Sequence, residues 1–310
     1  MNLKTFITAA AFSICGVFTS NAGAAELGAY MGGGCYGVSK LDGYSAWLGH
    51  RPTRGIDFLA AETWVAMEAA AARSAKCWKP TNLDMTFSVP MLTTDKTTTL
   101  EAGAAGAYDE HFKTIAKNLI TNGYGNASIR IGWEFNYSWF PWAAKKNPTA
   151  WVAYWKRIVT AMRSEHGANF TFDWCVGSGP GDINPADVYP GDQYVDTVGM
   201  DIYNTTWATV PQTTMDRWKY RMNKPVGFIW HRDFAALHGK KMTYGEWGTG
   251  TRPDGHGLGD DPEFIQLMAD WIKSNNVAWH HYWEYNAKDF AAKLNEGQFP
   301  LSATAFKQNF

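Results

Sequence analysis

Asn126–Phe135 (NASIRIGWEF), Pro148–His166 (PTAWVAYWKRIVTAMRSEH) and Phe170–Val176 (FTFDWCV) follow one another as strand, helix and strand. The first and third stretches are short and rich in apolar residues. The second carries apolar side chains at helical spacing behind a proline suited to a first turn. A strand–helix–strand order implies parallel strands joined by a crossover. Outward from this unit the rhythm continues both ways. Upstream, strands are expected at Gly28–Gly34, Gly55–Ala60 and Met85–Leu92, with helical spacing over Val65–Ser74 and Tyr108–Asn122. Downstream, strands are expected at Val195–Tyr203, Lys241–Trp247 and Val277–Trp283, and helices at Met215–Met222, Pro262–Ser274 and Ala287–Leu294. Eight strands in alternation with helices is the count that closes an α/β fold of the (β/α)8 type, the TIM barrel. The competing topology, an open doubly wound sheet, calls for a Gly-x-Gly-x-x-Gly turn. Gly32-Gly33-Gly34 has the wrong spacing and lacks the acidic residue that should follow.

The N-terminus reads as a targeting segment. Lys4 is the only charge before a mostly apolar or small run from Phe6 to Phe18, and Ala22-Gly23-Ala24 fits an A-x-A cleavage pattern. Residues 1–24 are therefore expected to be a secretory signal peptide, and 25–310 one catalytic barrel without a linker to divide it. The expected location is secreted or periplasmic, and the expected state a monomer with no membrane contact after signal removal. Loss of Lys4 takes the formal net charge from −1 to −2, too little to steer the chain to nucleic acid or an anionic surface. Cys15 leaves with the signal; Cys35 and Cys77 can pair after export, with Cys175 in a strand as a small hydrophobe. No Cys/His cluster suggests a metal site, and no cofactor is expected.

In such a barrel, function gathers where strands run out into the following loops. Those positions carry Trp133-Glu134-Phe135-Asn136 on the fourth strand, Asp173-Trp174 on the fifth and Asp201-Ile202-Tyr203-Asn204 on the sixth. Tyr244-Gly245-Glu246-Trp247 and Tyr282-Trp283-Glu284 end the seventh and eighth. Glu134 and Glu246, three strands apart, should face one another across one mouth. Two carboxyl groups with unlike protonation states are what glycosidic hydrolysis needs, one giving a proton and one attacking or stabilising the anomeric carbon. By strand alternation Arg130 lies on the same face as Glu134 but deeper, where it needs an anionic partner. Tyr203 is placed to hold the ionised carboxylate by a hydrogen bond.

Sixteen Trp and fourteen Tyr exceed what a core needs. Aromatic rings stack on the C–H faces of sugars, so Trp133, Trp139, Trp142, Trp174, Trp247 and Trp283 are candidate substrate contacts with Arg130, Asn136, Asp201 and Tyr203. Trp139 and Trp142 stand in the loop YSWFPW, where burial is awkward.

Arg130-Ile-Gly-Trp-Glu134-Phe-Asn136-Tyr-Ser-Trp139 is similar to the acid/base motif of glycoside hydrolase family 26, the β-mannanase family. There an Arg sits four residues before the Glu, and an aromatic loop follows. Tyr244-Gly245-Glu246-Trp247-Gly248 resembles the nucleophile strand of the wider clan of retaining β-glycanases. Val195–Tyr203 resembles its sixth strand, whose aromatic touches the nucleophile, and Trp283 resembles the indole that floors the central subsite. Trp133 stands where family 26 mannanases carry His. The resemblance implies Glu134 as acid/base and Glu246 as nucleophile, their carboxyl groups about 5–5.5 Å apart, in endo-acting, retaining cleavage of a β-linked polysaccharide. β-Mannan, β-xylan, β-glucan and a bacterial exopolysaccharide all suit an aromatic cleft. The competing readings are a non-catalytic carbohydrate-binding barrel, a transglycosylase and a metal-dependent hydrolase.

Overall fold

A computed structural model describes residues 24–310, so the expected signal segment, apart from Ala24, lies outside the described residues. Eight parallel strands close on themselves in sequence order: β1 (Glu26–Tyr30), β2 (Arg54–Phe58), β3 (Asp84–Val89), β4 (Ser128–Ile131), β5 (Thr171–Gly177), β6 (Thr197–Tyr203), β7 (Lys241–Gly248) and β8 (Val277–Trp283). The seam is the pairing of β1 with β8, Glu26 opposite Trp279 through Tyr30 opposite Trp283. Around them run α1 (Gly34–Leu48), α2 (Trp64–Trp78), α3 (Leu100–Ala104), α4 (Asp109–Thr121), α5 (Pro148–Arg163), α6 (Thr214–Asn223), α7 (Phe228–Leu237), α8 (Pro262–Ser274) and α9 (Pro300–Asn309). The expected (β/α)8 TIM barrel is the fold found.

Strand alternation sorts the side chains into two populations. Outward residues such as Phe87, Ile129, Ile131, Phe172 and Trp174 are buried in the hydrophobic core between sheet and helices. The inward set is polar: Arg54 donates to Thr86 and Ser128, while Thr197 and Thr243 both donate to Asp173. Helix starts follow local chemistry. Thr63, Asn147 and Asp261 each accept a backbone N–H from the first turn, and Pro148 and Pro262 open α5 and α8.

Expectations at element level fail in several places, and β1 for one ends at Tyr30, four residues before the expected Gly34. Ala287–Leu294 is not a helix. Its backbone groups bond to neighbours instead, with Ala291 bridging both Thr251 and Asn286, and the Glu284 carboxylate accepting the N–H groups of Leu294 and Asn295. β4 also stops at Ile131, four residues before the expected Phe135, because Gly132 turns to φ +46° and breaks the extended run.

Cys35 and Cys77, near the start of α1 and the end of α2, are joined by a disulfide across 42 residues of chain. Closing a loop of that size removes about 4 kcal/mol of unfolded-state freedom. Replacing both cysteines by Ala should lower unfolding stability by about 2–4 kcal/mol. A denaturant titration with and without reductant checks this; equal midpoints for parent and double variant would show the bond to be idle.

Candidate active site at the barrel mouth

The mouth is built around a cation. Arg130, inward on β4 and fully buried, cannot shed its charge and so needs anions. Its Nη2 donates to the Asp201 carboxylate and, at 2.8 Å, to Glu246 Oε1, while Nη1 donates to Ser88 Oγ at 3.0 Å. Cys175 Sγ donates to the second oxygen of Asp201 at 3.3 Å. Gly245 lets the guanidinium lie this close, since a Cβ there would meet Arg130 Nε at 2.6 Å.

Glu246 reaches the mouth through an irregularity in β7. Both neighbouring strands count one extra residue in β7 between Tyr244 and Trp247: Tyr244 and Trp247 face His280 and Tyr282, and Thr243 and Trp247 face Gly199 and Ile202. This β-bulge turns Glu246 inward, although plain alternation from Thr243 would aim it at the helices. Tyr203 Oη donates to Glu246 Oε2 at 2.6 Å. Glu246 thus receives a cationic and a hydroxyl donor, one on each oxygen, an arrangement suited to the acceptor-only carboxylate.

Glu134 is set differently. It follows β4 in the left-handed region at φ +52°, a conformation that costs a non-glycine residue roughly 1–2 kcal/mol. Its N–H donates to the Cys175 carbonyl at 3.0 Å, and its Oε2 accepts Trp139 Nε1 at 3.0 Å. Burial, reinforced by the charge of Glu246, pushes its carboxyl up to about 7, against the pull of Arg130 and the Trp139 hydrogen bond. Arg130 is thus one cation against three carboxyl groups, and Glu134 is the one it does not hydrogen-bond.

Aromatic rings wall the mouth. Tyr30 stacks on Trp283 at 4.5 Å between centroids and meets Phe58 edge-on at 5.0 Å, and Phe58 meets Trp133 at 5.3 Å. Trp133 also lies under the Arg130 guanidinium, and Tyr203 meets Trp283 edge-on. Trp139 is 59% exposed and stacks on Tyr137 at 4.0 Å. Sequence reasoning missed Tyr30 and Phe58. Both are the last residues of their strands, so the strand-end rule would have found them had β1 and β2 been ended correctly.

Arg130 and Asp201, buried beneath the mouth and bonded to one another, are corrected from substrate contacts to supports, and four further expected contacts are corrected with them. Trp174 points outward from β5 and is buried against Phe135, Tyr189 and Phe234. Trp247, beyond the bulge, points outward and packs on Phe264, Tyr282, Phe306 and Phe310. Trp142 is buried behind Trp133, donating to its carbonyl at 2.9 Å. Asn136 is fully buried, clamping both backbone groups of Gly177 at 2.9 and 2.8 Å. None of the four has a face to offer a sugar. The structure brings Glu134, Glu246, Arg130, Asp201, Tyr203, Trp133, Trp139 and Trp283 together at one mouth, Asp201 and Arg130 as its buried floor.

Comparison with known proteins gives the arrangement a family. A model described as Glycosyl hydrolase family 26 matches residues 79–229, a span that includes Arg130, Glu134 and Tyr203 and ends before Glu246. No curated protein matches. Among solved structures, GH26C from Muricauda sp. MAR_2010_75 superposes with a TM-score of 0.67 at 15% identity, over 93% of this chain and 85% of that one. The catalytic domain of the Bacillus sp. JAMB-750 GH26 endo-β-1,4-mannanase gives 0.62 at 16%, over 86% and 78%. The β-mannanase of a symbiotic protist of the termite Reticulitermes speratus, complexed with gluco-manno-oligosaccharide, gives 0.59 at 17%, over 92% and 86%. At these identities the structural likeness carries the fold, and the family rests on the model match. On that match, residues 79–229 are similar to glycoside hydrolase family 26, and the chain is a glycoside hydrolase that acts on carbohydrate.

Proposed function

We propose that this chain is a retaining, endo-acting hydrolase of a β-linked polysaccharide, with β-mannan or glucomannan the first substrate to test. The observation that supports it most is the contrast between two glutamates at one mouth. Glu246 is bonded on both oxygens by Arg130 and Tyr203, whereas Glu134 has a carboxyl pushed up to about 7. Retaining hydrolysis uses such a pair.

In this reading Glu246 attacks the anomeric carbon. The bond to the leaving oxygen breaks as Glu134 gives that oxygen its proton. Glu134, now ionised, takes a proton from water, whose oxygen attacks the same carbon and frees Glu246. Arg130 and Tyr203 hold Glu246 on line and receive charge as the glycosyl–enzyme bond breaks. Trp283 and Trp133 present apolar surface to the sugar ring, and Trp139, bonded to Glu134, presents an indole face beside the leaving group. The endo-acting preference rests on the likeness to the GH26 endo-β-1,4-mannanase of Bacillus sp. JAMB-750. A secreted or periplasmic location belongs to the same proposal: the Cys35–Cys77 disulfide suits an oxidising compartment. Among the described residues no helix is long and apolar enough to cross a membrane.

Two variants test the proposal by their kinetics. Glu246→Gln should lower kcat on the true polymer by about a thousandfold or more; near-parental turnover removes Glu246 from the chemistry. Glu134→Ala should retain the first step on activated aryl glycosides and regain turnover with azide, which attacks the glycosyl–Glu246 ester and leaves a glycosyl azide of retained anomeric configuration. Absence of rescue argues against Glu134 as acid/base.

The pH dependence has a definite sign. The acid must be protonated, so kcat/KM should fall as pH rises through about 7. The same group acts on stability. Its carboxyl binds a proton more tightly folded, at about 7, than at its ordinary 4.5. The charged form's penalty is therefore absent below about pH 4.5 and full above about pH 7. Glu134→Gln should stabilise the fold by about 1–3 kcal/mol at pH 8 and much less at pH 4. Thermal unfolding at the two pH values reads this; a gain independent of pH contradicts the assignment.

A further inference from the structure

The loop that leaves β6 carries an indole with no role in the chemistry above. Trp207 is 64% exposed, yet it is not a loose side chain. The His256 ring stacks on it at 5.0 Å between centroids, with planes 24° apart, and the Arg252 guanidinium lies 5.9 Å from its ring centre. Both supports are themselves fixed. His256 Nδ1 donates to the Thr206 carbonyl at 2.8 Å, the Thr206 N–H donates to the His256 carbonyl at 3.0 Å, and Arg252 pairs with Asp254 at 2.7 Å. Thr205 and Gly257 form an antiparallel bridge between the loops after β6 and β7, and Thr251 and Ala291 form one between those after β7 and β8. Three loops are thus stitched into one wall, with Trp207 held on it.

The position of this indole is bounded by the chain. Tyr203, which bonds Glu246, lies four residues earlier, so the two Cα atoms are at most about 14 Å apart. Trp207 therefore belongs to the rim of the same mouth, on the loop that leaves β6. A platform there would contact a ring of a longer saccharide and leave a small glycoside at the carboxyl groups untouched. Exposing most of an indole to water forgoes the benefit of burying it, and holding it rigid in that state is the arrangement an unoccupied stacking platform has. The polar rim of Arg252, Asp254 and His256 can meet ring hydroxyls around it.

We propose that Trp207 is a distal subsite that stacks on a pyranose ring of the polymer, remote from the bond being cut. The proposal rests on the hydrolase reading for its substrate and adds to it a second point of attachment.

The test separates the two ideas. Native gels cast with soluble glucomannan, xylan or β-glucan read binding without turnover. The parent chain should be retarded by the polymer it recognises, and Trp207→Ala should weaken that affinity about three- to tenfold, with Trp207→Phe recovering most of it. In kinetics, the ratio of kcat/KM on the polymer to that on an aryl glycoside should fall by the same factor in Trp207→Ala. Equal retardation of parent and Trp207→Ala, or a parent that no polymer retards, overturns the platform. So does a Trp207→Ala chain with undiminished polymer affinity but a smaller sedimenting mass than the parent, which would make the indole a contact between copies. Retardation that depends on Trp207 in a chain that cleaves none of the polymers would sink the hydrolase proposal and leave the platform standing.

Discussion

One guanidinium organises this mouth. Arg130 is fully buried and permanently charged, so it must be met by anions or the fold bears a large desolvation cost. Asp201 and Glu246 meet it on one nitrogen, and Ser88 satisfies another. The pairing joins β4, β6 and β7 across the barrel interior, fixing Glu246 relative to β4 and hence to Glu134. It also decides protonation. With Asp201 and Glu246 sharing the only buried cation of the mouth, Glu134 faces low polarity and a neighbouring negative charge, and its proton affinity rises. The contrast in hydrogen bonding between the two glutamates follows from where one arginine stands, while burial is the first cause of the raised Glu134 carboxyl.

Neither glutamate is delivered by regular strand geometry. Glu134 sits in the left-handed region after a glycine of positive φ, and Glu246 sits on a bulge. Such departures persist only where the surroundings hold them. Here the Glu134 N–H is tied to Cys175, Asn136 clamps Gly177, and the β7 bulge is registered against both neighbouring strands. Asn136 and Trp142 support the mouth without reaching substrate: one locks the loop after β4 to the end of β5, the other backs Trp133.

The same departures mark the limit of what the residue pattern discloses. The alternation of apolar strands with helical spacing was enough for the closed barrel, and the strand-end rule was enough for Glu134, Glu246 and Tyr203. Counting from Thr243, however, alternation sends Glu246 outward and Trp247 into the mouth. The inserted residue reverses both, and it is a feature of pairing between strands, not of β7 alone. Trp174 shows a different blindness: next to Asp173 at the end of β5, it is indistinguishable by type from a sugar-stacking indole. Only its position on the outward face, against Phe234 of α7, assigns it to the core. Ala287–Leu294 has helical spacing, but Glu284 and Thr251 compete for its backbone, and tertiary bonds prevailed over local propensity.

The tryptophans consequently divide by what backs them rather than by where they fall in the chain. Trp174, Trp247, Trp151 and Trp155 are enclosed on all sides and act as volume between sheet and helices. Trp133 and Trp283 pack against other aromatics of the mouth, Trp133 also against the Arg130 guanidinium and Trp283 against Tyr203. Trp139 and Trp207 are supported from one side and open on the other, each braced by a stacked ring. That bracing removes rotamer freedom before any ligand arrives, so ordering the side chain need not be charged against binding. An aromatic-rich composition therefore serves three physical ends in one barrel, and the burial of each ring's second face distinguishes them.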